Sequence, residues 1–340
     1  MLKTHGEGTP DVVSGSLPLS DEALAARLND AMARVEDLLE RKLSEGDEIV
    51  SEKVLHLAKA GGKRFRPMFA LLASEYGDRP MCDDVVKAAA LVEMTHLATL
   101  YHDDVMDEAQ RRRGVESANA RWGNSVAILA GDRLLALASG LMADLGVATV
   151  RHFSETFGEL VTGQMRETVG ARGGDPIEHY TQVIREKTGV LIASAGYLGG
   201  LHGGADTERI SALHGYGRAI GMVFQIVDDI IDVFSDPEES GKERGTDLRE
   251  GVFTLPVLYA MAEDNETGAR LRELLDGPVT DDAVLTEVLE LLERSGGRER
   301  ALVDVRAWVD EAEQCLTHLP DGPVTVALRQ LAEYTASRVG

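Results

Sequence analysis

Hydrophobic positions recur at three- and four-residue spacing along most of the 340-residue chain, a period that belongs to helices. The first stripe, Leu24, Leu28, Met32, Val35 and Leu39, predicts an amphipathic helix over residues 20–43 with Ser20 as its N-cap. A Gly61-Gly62 break precedes a basic stretch, and residues 68–76 are then apolar and helical. Residues 82–107 form a long apolar run that turns acidic at its end. Further helical patterns cover 125–145, 150–169, 177–198, 208–234 and 254–262. Three more helices are expected up to residue 339, divided by Gly277-Pro278, Gly296-Gly297 and residues 320–323. No linker of domain-separating length interrupts the pattern. It predicts an all-α chain: a loose N-terminus over 1–18, one large helical domain over 19–340, and a main internal loop over 235–251.

Composition agrees with a folded helical chain: 44% hydrophobic, 27% charged and only 5% aromatic. The formal net charge is −23, from 58 acidic and 35 basic residues, which argues against a nucleic-acid partner. A small anionic substrate stays compatible if metal ions or a local basic cluster override the general field. Cys82 and Cys315 are two isolated thiols, neither a disulfide framework nor a metal spacing, so a reducing, cytoplasmic setting is expected. Residues 1–18 lack the apolar core of a signal peptide. The longest candidate span, 125–150, is interrupted by Asp132, Arg133 and Asp144, so no transmembrane segment is expected.

The chemistry is concentrated in two echoing clusters. Asp103-Asp104-Val105-Met106-Asp107 recurs in form as Asp228-Asp229-Ile230-Ile231-Asp232, each at the end of an apolar run. Positions i and i+4 share a helix face, so Asp103 lies above Asp107 and Asp228 above Asp232. Like charges so placed repel unless something neutralises them. A solvated acidic face is the bland alternative, but such faces are flanked by polar residues, not core ones. Hard oxygen donors without Cys select Mg²⁺, and two facing clusters could clamp a diphosphate through several ions.

Basic groups complement them. Gly61-Gly62-Lys63-Arg64-Phe65-Arg66-Pro67 places glycines ahead of Lys63 and Arg66, and Arg111-Arg112-Arg113-Gly114 follows the first cluster. Guanidinium forks suit phosphate oxygens, although salt bridges to Asp107 and Glu108 would also explain the arginines. Gln225 shares a face with Asp228, Asp229 and Asp232, and His96 stands two turns before Asp103. Lys187-Thr188 and Lys242 are unpersuasive singly.

In combination and order, from residue 61 to about 258, these motifs resemble the trans-isoprenyl diphosphate synthases, the polyprenyl synthetase family. The combination comprises the Gly61–Pro67 stretch, His96 through Asp107 with Arg112-Arg113-Gly114, Lys187-Thr188, Phe224 through Asp232, Gly241-Lys242 and Gly245-Thr246-Asp247-Leu248. The resemblance implies an all-helical isoprenoid-synthase fold around a central cavity, and a homodimer. It implies that Asp103, Asp104 and Asp107, helped by Asp228, Asp229 and Asp232, hold two or three Mg²⁺ ions. Arg112, Lys187, Thr188, Gln225 and Lys242 match positions contacting the allylic substrate. Gly62, Lys63, Arg66, His96 and Arg113 match those holding isopentenyl diphosphate. The catalytic set that the resemblance implies is Asp103, Asp104, Asp107, Lys187, Asp228 and Lys242. Two departures stand out: Val252 occupies a position that is often Lys, with Arg244 or Arg249 as replacements, and Gly114-Val115-Glu116-Ser117 replaces the usual Gly-x-Pro-Thr.

The implied reaction is ionisation of the allylic C–O bond, attack by the isopentenyl double bond and loss of a proton, with no protein nucleophile. Ala98 and Thr99, one turn before Asp103, are small where family members making fifteen-carbon products carry aromatics. A product of at least twenty carbons follows, with a longer quinone-type tail favoured over geranylgeranyl diphosphate, and peripheral membrane contact for its release. Two rivals share the acidic motif. A class I terpene cyclase would not need isopentenyl diphosphate, and a non-catalytic partner subunit would be inactive alone.

Overall fold

The structure, a computed structural model, describes residues 21–235 and 243–339. The expected N-cap Ser20 and the segment 1–18 lie outside the described residues. Asp21 caps α1 (Glu22–Leu43) instead, its carboxylate accepting from the Leu24 N–H at 2.7 Å. α2 (Glu48–Lys59) was not anticipated, because only Val54 and Leu57 of it are buried and its apolar stripe is thin. α3 (Phe65–Ser74) and α4 (Asp83–Met106) follow.

The arginine stretch does not continue a helix. Arg111–Arg112 pairs antiparallel with Val115–Glu116, and the two turn residues Arg113 and Gly114 have φ of 52° and 79°. Positive φ at both positions is the signature of a tight two-residue hairpin. It resolves the geometry of the loop that departs from the usual motif.

α5 (Ala118–Trp122), α6 (Asn124–Leu145) and α7 (Val147–Val169) lead to α8 (Pro176–Ile184). The segment expected as one helix over 177–198 is two α-helices joined by a π turn (Arg185–Gly189), and α9 (Val190–Gly203) runs beyond the expected end. Such turns are rare and concentrate at functional positions. α10 (Thr207–Phe234) carries the second acidic cluster. The expected loop over 235–251 contains a short helix, Thr246–Glu250. After Leu255–Met261 come four helices, not three: Glu266–Leu274, Asp282–Arg294, Gly297–Leu316 and Pro323–Ser337.

α4 and α9 are apolar on nearly all sides, as buried central helices must be. α9 packs against α3, α4, α7 and α10, and α10 rests also on Gly297–Leu316. A smaller cluster, including Val233, Leu248, Val257 and Leu271, supports the end of α10. By length and composition α6 does reach a membrane span, contrary to the sequence expectation, but 44% of that window is buried in the fold.

Candidate active site

α4 and α10 deliver their acidic ends to one cavity of about 380 Å³, into which Asp103 and Asp228 both face. The second carboxylate of each pair, one residue on and therefore turned by about 100°, is buried. Asp104 is 0% exposed and accepts from Arg112 Nε at 2.6 Å, while its Oδ2 has no partner. Asp229 is 2% exposed and accepts from the Tyr180 hydroxyl and from Gln225 Nε2, the latter at 2.9 Å. Asp107 is solvent-exposed at the end of α4. Asp232 accepts from the Thr246 and Asp247 N–H groups at 3.2 and 3.3 Å, tying the Thr246–Glu250 helix to α10. Asp103 and Asp228 thus face the cavity, Asp104, Asp229 and Asp232 are anchored, and Asp107 stands exposed at the helix end.

Their electrostatics call for cations. Burial raises Asp103 to about 6, with Lys187 opposing and Asp107 adding to the rise. Burial also lifts Asp229 to about 7, partly offset by its two donors. Asp247 reaches about 8 through burial and the charges of Asp232 and Asp229.

A basic pocket lines another part of the cavity. Gly62, Lys63, Arg64, Arg66, His96 and Arg113 all contribute to the wall. Arg64 turns inward from a left-handed backbone, φ 48°, and donates to Glu36 at 2.6 Å, Glu93 at 3.0 Å and the Ala58 carbonyl at 3.0 Å. Arg113 donates to the carbonyls of Leu57, at 3.0 Å, and Gly61, with Glu93 at 3.8 Å. Arg66 has a buried, unpartnered Nε, and burial lowers its guanidinium to about 10. Burial, and then Arg66 and Arg113, push His96 well below the ordinary histidine value, so it is a neutral ring. Glu93, 2% exposed, is the counter-ion of this arginine cluster. The sequence reading missed it, although a single carboxylate inside the apolar run of α4 was the available signal. Lys63 lies 5.6 Å from the centroid of the Phe224 ring.

Lys187 and Thr188 enter the cavity from the π turn. Thr188 donates to Gln225 Oε1 at 3.0 Å, linking the turn through Gln225 to Asp229. Lys187 Nζ donates to Glu167 Oε2 at 2.5 Å. Glu167, Gln164 and Leu160 come from α7, and Tyr180 from α8. None carried a local signal, because only packing brings those helices to the site. Thr99 and Leu100 line the cavity, whereas Ala98 is fully buried and does not. Lys242 lies outside the described residues. The replacements expected for the missing lysine are engaged elsewhere: Arg244 with the Val233 carbonyl at 2.8 Å and Glu293 at 2.7 Å, and Arg249 with Asp282 at 2.7 Å. Val252 is 41% exposed.

The sequence model of polyprenyl synthetases matches residues 47–292. The chain belongs to the polyprenyl synthetase family. Its activity is accordingly prenyl transfer that builds a polyprenyl diphosphate, on the family's all-α fold. Among relatives, this polyprenyl synthetase is 52% identical to a nonaprenyl diphosphate synthase of Mycobacterium tuberculosis over 98% of this chain and 99% of that one. It is similar in structure to a geranylgeranyl pyrophosphate synthase from Corynebacterium glutamicum complexed with calcium and isoprenyl diphosphate, with a TM-score of 0.88 and 64% identity. That match covers 95% of this chain and 99% of the other. A decaprenyl diphosphate synthase from Rhodobacter capsulatus matches with a TM-score of 0.84 and 35% identity, over 94% and 99% of the two chains.

Proposed function

We propose that this polyprenyl synthetase condenses isopentenyl diphosphate with an allylic diphosphate, in a Mg²⁺-dependent reaction, to give an all-trans product of twenty carbons or more. One observation carries the reading: carboxylates from α4 and α10 and a buried arginine pocket face the same cavity.

The donor set fits Mg²⁺. The carboxylates are hard, and burial and mutual repulsion hold several of them above their ordinary values. Among the described residues no three such groups are already gathered around one point. Mg²⁺ takes one or two carboxylates and completes its shell with water and phosphate oxygens, so it needs no larger protein cage. Asp103, Asp107 and Asp228 are the candidate ligands. Asp104, Asp229 and Asp232 act as anchors, a revision of the six-ligand expectation. When bound, Mg²⁺ would offset the negative charge that develops on the departing diphosphate.

Lys187, held near Asp103 by the π turn, supplies a further positive charge to that diphosphate, and Thr188 and Gln225 orient it. Lys63, Arg66 and Arg113 grip the second diphosphate, with neutral His96 as a hydrogen-bonding partner. Leu100, Leu160, Phe65 and Phe224 give the cavity apolar wall, which keeps water from the allylic cation. Thr99, rather than Ala98, meets the growing tail. Its small side chain, together with the nonaprenyl and decaprenyl relatives, supports a long-chain product.

The chain acts as a homodimer. Ile128, Leu129, Val150, Val161 and Met165 leave an exposed apolar stripe on α6 and α7, which a second copy would cover. The unpaired Cys82 and Cys315 suit a cytoplasmic setting.

Purified protein incubated with labelled isopentenyl diphosphate, a panel of allylic primers and Mg²⁺ should extend a primer, and chelation should abolish extension. Reverse-phase chromatography then gives the chain length. Consumption of an allylic diphosphate without isopentenyl diphosphate would favour a cyclase. No turnover of either substrate would favour a partner subunit.

A further inference from the structure

Three carboxylates compete for the ammonium of Lys187. Asp103, Asp107 and Glu167 all act on it electrostatically, yet its ion pair is made with Glu167, at 2.5 Å. Glu167 Oε2 also accepts from Gln164 Nε2 at 3.1 Å, so the carboxylate is fixed from its own helix before it meets the lysine. The backbone beneath Lys187 is fixed as well. α7 approaches the π turn so closely that a Cβ on Gly163 would stand 2.7 Å from Glu186 Cβ and 2.9 Å from Lys187 N. Arg166 and Glu186 close the same seam with a 2.9 Å ion pair. With the main chain clamped, the lysine chooses its partner by side-chain rotation alone.

We propose that Glu167 is a positioning residue that parks the Lys187 ammonium away from Asp103 and Asp107. The physical reason is competition. An ammonium that settled on those aspartates would occupy carboxylate oxygens intended for cations, and a divalent ion would have to displace it. Parked on Glu167, the lysine leaves them available and stays within a side-chain rotation of an arriving diphosphate. The argument rests on the proposed function, because it takes Asp103 and Asp107 as cation-binding groups.

The test is binding, not turnover: calorimetric titration of Mg²⁺ into the full chain with a saturating, non-ionising thiolo analogue of an allylic diphosphate. Glu167→Gln keeps the shape and the Gln164 contact but removes the charge. It should raise the Mg²⁺ concentration needed for half-saturation about tenfold, and Glu167→Asp should recover most of that loss. The increase should vanish in the Glu167→Gln/Lys187→Gln double variant compared with Lys187→Gln alone, because the competing ammonium is gone. In steady-state assays Glu167→Gln should shift the Mg²⁺ dependence while lowering kcat at saturating Mg²⁺ less than threefold. A merely structural role would not give this pattern. Unchanged Mg²⁺ affinity in Glu167→Gln, or an equal loss whether or not Lys187 is present, overturns the parking role and leaves the functional reading intact. Failure of the wild-type chain to bind the analogue with Mg²⁺ overturns both.

Discussion

At Gly62 a single missing side chain shapes the basic pocket. Its φ is 145°, and a Cβ there would lie 2.9 Å from Arg113 Cζ. Gly62→Ala would strain the backbone by about 1–3 kcal/mol, the usual cost of a sparsely populated backbone region, and push the guanidinium out of line. The KM for isopentenyl diphosphate should rise about tenfold with little change in kcat, as measured by steady-state kinetics with both substrates varied. The close approach at this residue was legible in the chain, because paired glycines leave the backbone open to a near neighbour. Glu93, Glu167 and Tyr180 were not, because the meaning of each lies in a partner 20 to 49 positions away. The aspartate doublets were half legible. Their spacing gave the cluster, but the division into cavity-facing Asp103 and Asp228 and anchored Asp104 and Asp229 required their neighbours.

The π turn is the element that aims Lys187 and Thr188 into the cavity. An α-helical period over 177–198 would place Lys187 and Thr188 differently relative to α10, and the extra residue per turn reorients them. The close approach of α7 at Gly163 holds the turn in place. Gly163→Ala forces backbone to move, because its nearest contacts are Glu186 Cβ and Lys187 N. A loss of about 1–3 kcal/mol of stability is expected, the usual cost of overpacking. It should appear as a lower Tm by calorimetry together with a reduced kcat, since Lys187 and Thr188 move with the turn. The arginine hairpin works similarly: its reversed direction sends Arg112 to Asp104 and Arg113 to the Glu93 pocket. Neither the π turn nor the hairpin has a periodic signal, so hydrophobic spacing could reveal only the helices on either side.

Across the whole molecule, a net charge of −23 coexists with a local basic pocket, and screening confines the influence of distant charges there. The apolar stripe on α6 and α7 predicts assembly. Light scattering should report about twice the 36.7 kDa chain mass, and Leu129→Glu should return a monomer, since Leu129 is 66% exposed at the stripe. Stability should also depend on pH through a second cavity, where His152 stacks on Tyr197 at 3.8 Å. Burial lowers His152 and His214 to about 4, with His214 and Arg218 respectively adding to the effect. Between pH 6.5 and 4 the unfolded rings take up protons while the folded rings stay neutral. Stability therefore falls as pH drops through that window, on the order of 2–3 kcal/mol for each ring. Thermal melts should show this slope in the wild-type chain and a shallower one in His214→Gln.

By itself the chain determined its helical class, most of its helix positions and the kind of chemistry, since apolar period and runs of like charge are local properties. Tertiary structure alone decided which carboxylates face the cavity, that Thr99 rather than Ala98 lines it, and which partner holds Lys187. Those outcomes depend on the rotation of each helix about its own axis and on neighbours distant in the chain, and both are set only when the helices pack.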